Sequence, residues 1–375
     1  MDRFYFDHNA TTPVSPEVLE ALSGVLGEVY GNASSIHHYG QAAKQRLEQA
    51  RREVAALLNA DAGEIVFVSG GTEADNLAVL GVVRASGKPR KHVVTTAIEH
   101  PAVLNACAQL EREGVEVSYA APDQVLRAIR PETVLVSVMH ANNELGTLQP
   151  VAEIARIARQ AGVLMHSDGV QAAGRIGVDV KALGVDLYSI SGHKMYAPKG
   201  IGALYVRKGV ELAPLMYGGH HERGLRAGTE NVPGAVGLGR AAAWARENPA
   251  TGLAALRDRL ERGILERVPD TAVNGTGAPR VPNTTNIRFD GIDGEAMAIA
   301  LDLRGFAVSG GAACSSGAVE PSHVLTAIGL TKEQARSSLR FSLGRGNDQS
   351  QVDALIEAVA AAAAHLRRLS PTYHA

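Results

Sequence analysis

The chain has little that would tie it to a membrane, a nucleic acid or an oxidising compartment. Cysteine occurs twice in 375 residues, as Cys107 and Cys314, too few for a disulfide framework. Aromatic residues make up only 4%, so Ala, Val, Leu and Ile must fill the core. The net charge is -2 and no long run of one sign occurs, which gives no support to nucleic-acid or membrane-surface binding. No apolar run approaches the length of a membrane span. The first residues, Met1-Asp2-Arg3-Phe4-Tyr5-Phe6-Asp7, lack the charged-then-apolar order of a signal peptide. A cytoplasmic protein with reduced thiols is the expectation. The adjacent pairs His37-His38 and His220-His221 lack partners at metal-ligand spacing, so no metal site is expected.

What is present is an ordinary globular balance, 45% hydrophobic and 20% charged, with forty glycines. The length predicts two domains. Between about residues 60 and 210, short β-branched runs alternate with helical patterns. Ile65 to Ser69, His92 to Thr96, Val134 to Val138, Val163 to His166 and Ala203 to Val206 read as strands. This alternation predicts an α/β fold with a mainly parallel sheet, whose ligands sit beyond the carboxyl ends of strands. After residue 250 the helices Leu253 to Val268, Glu295 to Leu303 and Val352 to Leu366 flank strands Thr285 to Phe289 and Leu339 to Ser342, a smaller α+β region. The helical stretch Pro16 to Leu58 is expected to pack against that smaller region.

The chemistry collects at predicted strand ends. Ser191-Gly192-His193-Lys194 follows the apolar run Asp186 to Ile190. A lysine there can form a Schiff base with an aldehyde cofactor, and Ser191 and His193 can bind a phosphate beside it. Lys199 competes for that role, but Lys194 stands nearer the strand end. Asp168 closes the run Met165-His166-Ser167-Asp168. A carboxylate for a ring nitrogen and a lysine for an aldehyde are the groups that pyridoxal 5'-phosphate (PLP) most needs. A helix cap is the plainer role for Asp168. Gln171, three residues on, can reach the same ligand. Gly70-Gly71-Thr72-Glu73 follows a strand and opens a helix, which suits either an anion or an ordinary capped turn. The terminal Gly-Lys-Ser/Thr of a Walker loop is absent. Gly237-Leu238-Gly239 reads as helix packing. His100 can stack on a flat ring and move protons, or be a polar loop residue. Asn142-Asn143 suits a turn. Cys314 lies in Gly310-Gly311-Ala312-Ala313-Cys314-Ser315-Ser316-Gly317, a setting for a nucleophile. Cys107 reads as a buried helix residue. Arg340 interrupts the apolar strand Leu339 to Ser342 and needs a carboxylate, from a substrate or from the chain itself.

Taken in order, several segments resemble the cysteine desulfurases of iron–sulfur cluster assembly. They are Asn9-Ala10-Thr11-Thr12-Pro13, Ser69 to Asn76, Glu99-His100, Met139 to Glu144, Asp168 to Gln171, Ser191 to Lys194, Arg226 to Asn231, the Cys314 loop, Glu320 to His323 and Arg340 to Arg345. That family belongs to the class V aminotransferases, PLP-dependent enzymes of fold type I. The resemblance implies a large PLP-binding domain over residues 15–250, with a mainly parallel seven-stranded sheet. It implies a small α+β domain from residues 1–14 and 251–375. It implies PLP held by Lys194, with Asp168 on the ring nitrogen, Gln171 on the ring hydroxyl and His100 stacked as acid–base. Gly71, Thr72, Ser191, His193 and the partner subunit's Thr229 would hold the phosphate. Asn143, which also lies against the cofactor, and Arg340 would bind the carboxylate of L-cysteine, and Cys314 would take the sulfur, leaving L-alanine. A homodimer and an iron–sulfur scaffold or other sulfur-acceptor protein are the implied partners. A selenocysteine lyase or a class V aminotransferase is the alternative. The segment from Tyr119 to Arg127 is shorter than in relatives and suggests a trimmed surface hairpin.

Overall fold

A computed structural model describes residues 3–310 and 320–369. The chain divides into two compact units, one of residues 12–141 and 149–249, the other of residues 1–11, 142–148 and 250–375. A short strand, β1 (Phe4–Tyr5), opens the chain.

The first unit begins with α1 (Pro16–Glu28) and α2 (His38–Leu58). Ser15 caps α1 by accepting from Val18 N, and Pro16 occupies the first helical position, where no N–H is needed. Then come β2 (Ile65–Val68), α3 (Gly71–Ala85), β3 (His92–Thr96), α4 (Pro101–Arg112), β4 (Glu116–Ala120) and β5 (Thr133–Ser137). They are followed by α5 (Val151–Gln160), β6 (Leu164–Asp168), α6 (Val180–Leu183), β7 (Leu187–Ser191), β8 (Gly202–Val206) and α7 (Val232–Glu247). The seven strands form one sheet in the order β2-β8-β7-β6-β5-β3-β4. Only β8 runs against its neighbours. β2, β3, β5, β7 and β8 are buried along their whole length, so both sheet faces are covered, as parallel sheets require. Apolar side chains of β2, β3, α3 and α4 form one continuous core.

Two expectations need correction here. The stretch from Tyr119 is not a hairpin: β4 pairs in parallel with β3 at the sheet edge and leads into a 3₁₀ turn at Val125–Ala128. The helices of Pro16 to Leu58 pack on α7, within the larger unit. Gly239 makes that packing possible, because a Cβ there would lie 2.6 Å from the Ala50 Cα. The reading of Gly237 to Gly239 as helix packing holds, and α2 and α7 touch almost backbone to backbone.

The second unit adds α8 (Leu253–Arg267), β9 (Thr271–Val273), β10 (Thr284–Phe289), α9 (Gly294–Asp302), β11 (Phe306–Ala307) and β12 (Ser309–Gly310). It ends with α10 (His323–Ala327), α11 (Lys332–Arg336), β13 (Ser338–Ser342) and α12 (Gln349–Leu369). An antiparallel sheet, β12-β13-β10-β9, packs its apolar face against α8, α9 and α12 through Ile287, Phe289, Leu339, Leu260, Met297 and Leu355. β1 pairs in parallel with β11. Among the described residues no helix is long and apolar enough to cross a membrane.

Candidate active site

In the sheet of the first unit, β2, β3, β5, β6 and β7 all end at one edge, and the polar residues singled out in the sequence collect there. Asp168 closes β6, and its register partner Ser189 lies two residues before Ser191, which closes β7. The chain then turns through a 3₁₀ element, Gly192–Lys194. On the far side of β8, β2 leads through Ser69-Gly70 into α3. Two glycines set the spacing. A Cβ on Gly202 would stand 2.8 Å from the Gly70 backbone, and one on Gly71 would stand 2.9 Å from Val170 Cγ2 and 3.4 Å from Ser191 Cβ. The start of α3, the loop after Asp168 and the end of β7 therefore converge, and Gly71, Thr72, Asp168, Gln171, Ser191, His193 and Lys194 share one region. Thr72 lies in the first turn of α3, with Gly70 at the cap. Lys194 acts electrostatically on Asp168 and His193, Lys199 on His193.

Asp168 is almost fully buried and accepts from Val170 N at 2.9 Å. Burial pushes its carboxyl upward, while the charges of His100 and Lys194 pull it back. His100 caps α4, with its Nδ1 accepting from Ala102 N at 3.1 Å. His193 is held near pKa 4 by burial and by Lys194, Lys199 and Arg175, so at neutral pH it offers a neutral imidazole. Gln171 is buried, and its side-chain carbonyl receives Arg175 Nη1.

Behind Asp168 lies a buried polar layer that the sequence reading did not assign. His166 shares hydrogen bonds with Ser137 Oγ at 2.8 Å and Ser189 Oγ at 2.9 Å, and stands 3.6 Å from Asp75 Oδ1. Burial drives His166 down to about 3 and Asp75 well above the usual carboxylate range, with repulsion from Asp168 adding to the latter. Glu99 accepts from Thr96 Oγ1 at 2.6 Å and Met139 N at 2.9 Å, and burial lifts it to about 8. Like charges this close cannot all ionise. Burial raises all three carboxyls, and Asp168 is the one that the charges of His100 and Lys194 pull back. The available signal was a polar side chain after an apolar run, at His166 following Val163-Leu164-Met165; Asp75, among Thr72, Glu73 and Asn76, gave none.

The remaining candidates lie on other elements. Thr229 follows Gly228 (φ +104°) in an exposed loop and lines a cavity of about 210 Å³ with Ser69, Phe67 and Arg226. Arg340 and Asn143 belong to the second unit. Arg340 Nη2 pairs with Asp7 Oδ1 at 2.7 Å, and its Nη1 donates to the Asn143 carbonyl at 3.1 Å. The internal ion pair weighed in the sequence is thus formed. Cys314 lies outside the described residues. Cys107 is buried in α4 with its thiol pushed up to about 12, and so stays an inert thiol. Among the described residues no cluster of metal-ligating side chains occurs.

A sheet of this order, with a lysine turn and a buried aspartate at adjacent strand ends, is the framework of a PLP-type transferase. The chain belongs to the aminotransferase class-V family, whose model matches residues 4–355. Within that family it is similar to the cysteine desulfurase of Trichormus azollae, at 48% identity over 99% of this chain and 95% of that one. A solved "NIFS-LIKE PROTEIN" matches with a TM-score of 0.90 and 36% identity, over 97% of this chain and all (100%) of that one. A structure described as "SspA in complex with cysteine" matches with a TM-score of 0.81 and 37% identity, over 90% of this chain and 98% of the other. The architecture is that of the fold-type I PLP enzymes.

Proposed function

We propose that this chain is a PLP-dependent cysteine desulfurase, which converts L-cysteine to L-alanine and retains the sulfur as a persulfide on Cys314. The observation that carries the proposal is the setting of Asp168, a buried carboxyl at the end of β6 on which the charges of His100 and Lys194 act. Similarity to cysteine desulfurases along nearly the whole chain supports the same reading.

The residues fit the cofactor. Asp168 is acceptor-only when ionised and suits a protonated ring nitrogen. The crowding around Gly71, which a Cβ would fill, leaves room for backbone N–H groups to approach an anion. Thr72, Ser191 and neutral His193 supply further donors to a phosphate, and Thr229 of a neighbouring subunit in a homodimer completes the set. Gln171 would orient the ring hydroxyl, and His100 would cover the ring. When bound, PLP supplies an electron sink that makes the substrate Cα proton acidic.

The chain's own groups do the rest. Lys194 would hold the cofactor, and its Nζ would move the proton of the substrate Cα. Arg340, in exchange for its pair with Asp7, and Asn143 would bind the substrate carboxylate. The Cys314 thiolate attacks the substrate sulfur. A sulfur–sulfur bond forms as the carbon–sulfur bond breaks, and the electron pair stays with the carbon fragment, which is protonated and leaves as L-alanine. An ordinary thiol is only a few per cent ionised at neutral pH, so a nearby base must assist, and His100 is the candidate. The persulfide then passes its sulfur to an acceptor protein, for which an iron–sulfur scaffold is the expected partner. A cytoplasmic site of action belongs to the same proposal.

The test is direct. Purified protein incubated with L-cysteine should release alanine without any keto acid, and mass spectrometry should find one extra sulfur on Cys314. Cys314→Ser should lose sulfur transfer, and Lys194→Ala should lose the yellow colour of the bound cofactor. Turnover that survives Cys314→Ser and requires a keto acid would point instead to an aminotransferase.

A further inference from the structure

Two residues from separate motifs, Glu73 and Arg226, meet in the first unit, and the mechanism above uses neither. Glu73 stands in the first turn of α3. Its Oε2 accepts from Ser69 N at 2.7 Å, which ties the turn between β2 and α3 back on itself. Its Oε1 accepts from Arg226 Nε at 3.0 Å. Both side chains are largely buried, 22% exposed for Arg226 and 15% for Glu73. The segment before Arg226 is anchored too, since Glu222 accepts from Phe67 N at 2.9 Å. Three residues after Arg226 comes Thr229, and Ser69, Arg226 and Thr229 line the same cavity.

The electrostatics of this placement are unusual. The start of α3 is where backbone N–H groups would meet a phosphate. A carboxylate in that turn, left to itself, opposes an anion. The Ser69 and Arg226 contacts nevertheless hold Glu73 ionised, below the usual glutamate range and against the effect of its burial. Arg226 therefore does two things. It cancels the charge of Glu73, and it joins the β2–α3 turn to the loop that carries Thr229.

We propose that the Glu73–Arg226 pair is a positioning clamp, one that neutralises a carboxylate beside the phosphate site of its own subunit and fixes the loop whose Thr229 serves the neighbouring subunit. The inference rests on the PLP reading given above and assigns these residues a role in phosphate discrimination, with no direct part in the reaction.

The experiment compares two aldehydes on the full-length protein, stripped of cofactor and titrated by its absorbance with PLP and with pyridoxal, which lacks the phosphate. Arg226→Ala leaves Glu73 charged and unneutralised, so affinity for PLP should fall about tenfold, the scale of one like charge at close range. Affinity for pyridoxal should change less than about twofold by the same reasoning. Adding Glu73→Gln to Arg226→Ala removes the stray charge and should restore about threefold of the PLP affinity. Equal losses for both aldehydes, or a double variant no better than Arg226→Ala, would overturn the clamp. Should Arg226→Ala not fold, Glu73→Gln alone decides, because its PLP-to-pyridoxal affinity ratio must shift by a few fold; an unchanged ratio overturns the proposal. A parent protein that takes up neither aldehyde refutes the cofactor reading itself, and the clamp with it.

Discussion

Arg51 and Glu222 form an ion pair with only 6% and 3% of their side chains exposed, and breaking it should be costly. Arg51 Nη1 and Nη2 reach Glu222 Oε2 and Oε1 at 2.7 and 2.8 Å. Nη1 also donates to the Ile65 carbonyl at 2.9 Å, and the guanidinium lies 4.7 Å from the Phe67 ring centroid. The pair thus holds the outer edge of β2, a strand with only β8 as a sheet neighbour. Arg51→Met keeps the apolar stem and removes the charge. It leaves the Glu222 carboxylate buried with the Phe67 N–H, and that loss costs about 3–5 kcal/mol for a buried pair broken on one side. For a unit of this size the melting temperature should drop by roughly 6–20 °C. Arg51→Met/Glu222→Gln removes both charges and should be less destabilised than the sum of the two single variants, because the partners are in contact. The measurement is urea unfolding of all four proteins at one pH and one cofactor concentration, with the slopes compared so that only midpoints are interpreted. A loss under about 1 kcal/mol for Arg51→Met would show that the pair is solvated in solution, and strict additivity would show that the two side chains do not act together.

Two further perturbations follow from the packing and the charges. Glu99 is lifted from an ordinary value of 4.5 to about 8, so the folded state holds its proton where the unfolded state has lost it. Its contribution therefore favours folding least at high pH: stability falls as pH rises from 4.5 and levels off above 8. Glu99→Gln removes this dependence, and its stability relative to the parent should rise by about 2 kcal/mol between pH 6 and pH 8 in urea melts. A pH-independent difference would mean that Glu99 is ionised in the fold. Gly169→Ala would place a Cβ 2.0 Å from Tyr188 Cε1 and Cζ, and it would push the ring off the 2.7 Å contact between Tyr188 Oη and His140 Nδ1. Overpacking of this kind should cost about 1–3 kcal/mol and alter the near-ultraviolet signal of tyrosine; an unchanged melting curve would contradict the tight fit.

Much of the fold could be read locally. Leu253 to Val268 reads as a helix in the sequence, and α8 spans Leu253–Arg267. The β-branched runs at His92 to Thr96 and near Val134 became central strands because such runs can bury both faces. Polar residues at the ends of those runs, Asp168 and Ser191 to Lys194, pointed to the candidate site, since strand ends in such sheets face the ligand. The Tyr119 segment misled because its shortness against relatives says nothing of its pairing, and the neighbour β3 selected the parallel edge strand. The affiliation of Pro16 to Leu58 was likewise invisible, since an amphipathic helix shows which face is buried but not what covers it.

What the residue string determined alone was the alternation of elements, the lysine and aspartate suited to PLP, and the order of motifs shared with the cysteine desulfurases. These depend on periodicity, turn chemistry and residue type, all of which act over a few positions. The tertiary structure decided the reversed direction of β8, the seating of α2 against α7 and the upward shift of the buried acids. It also brought Glu73 to Arg226 and Arg51 to Glu222. Each of these depends on partners distant in sequence. Burial strengthens an electrostatic interaction only once the fold has removed water from around the charge.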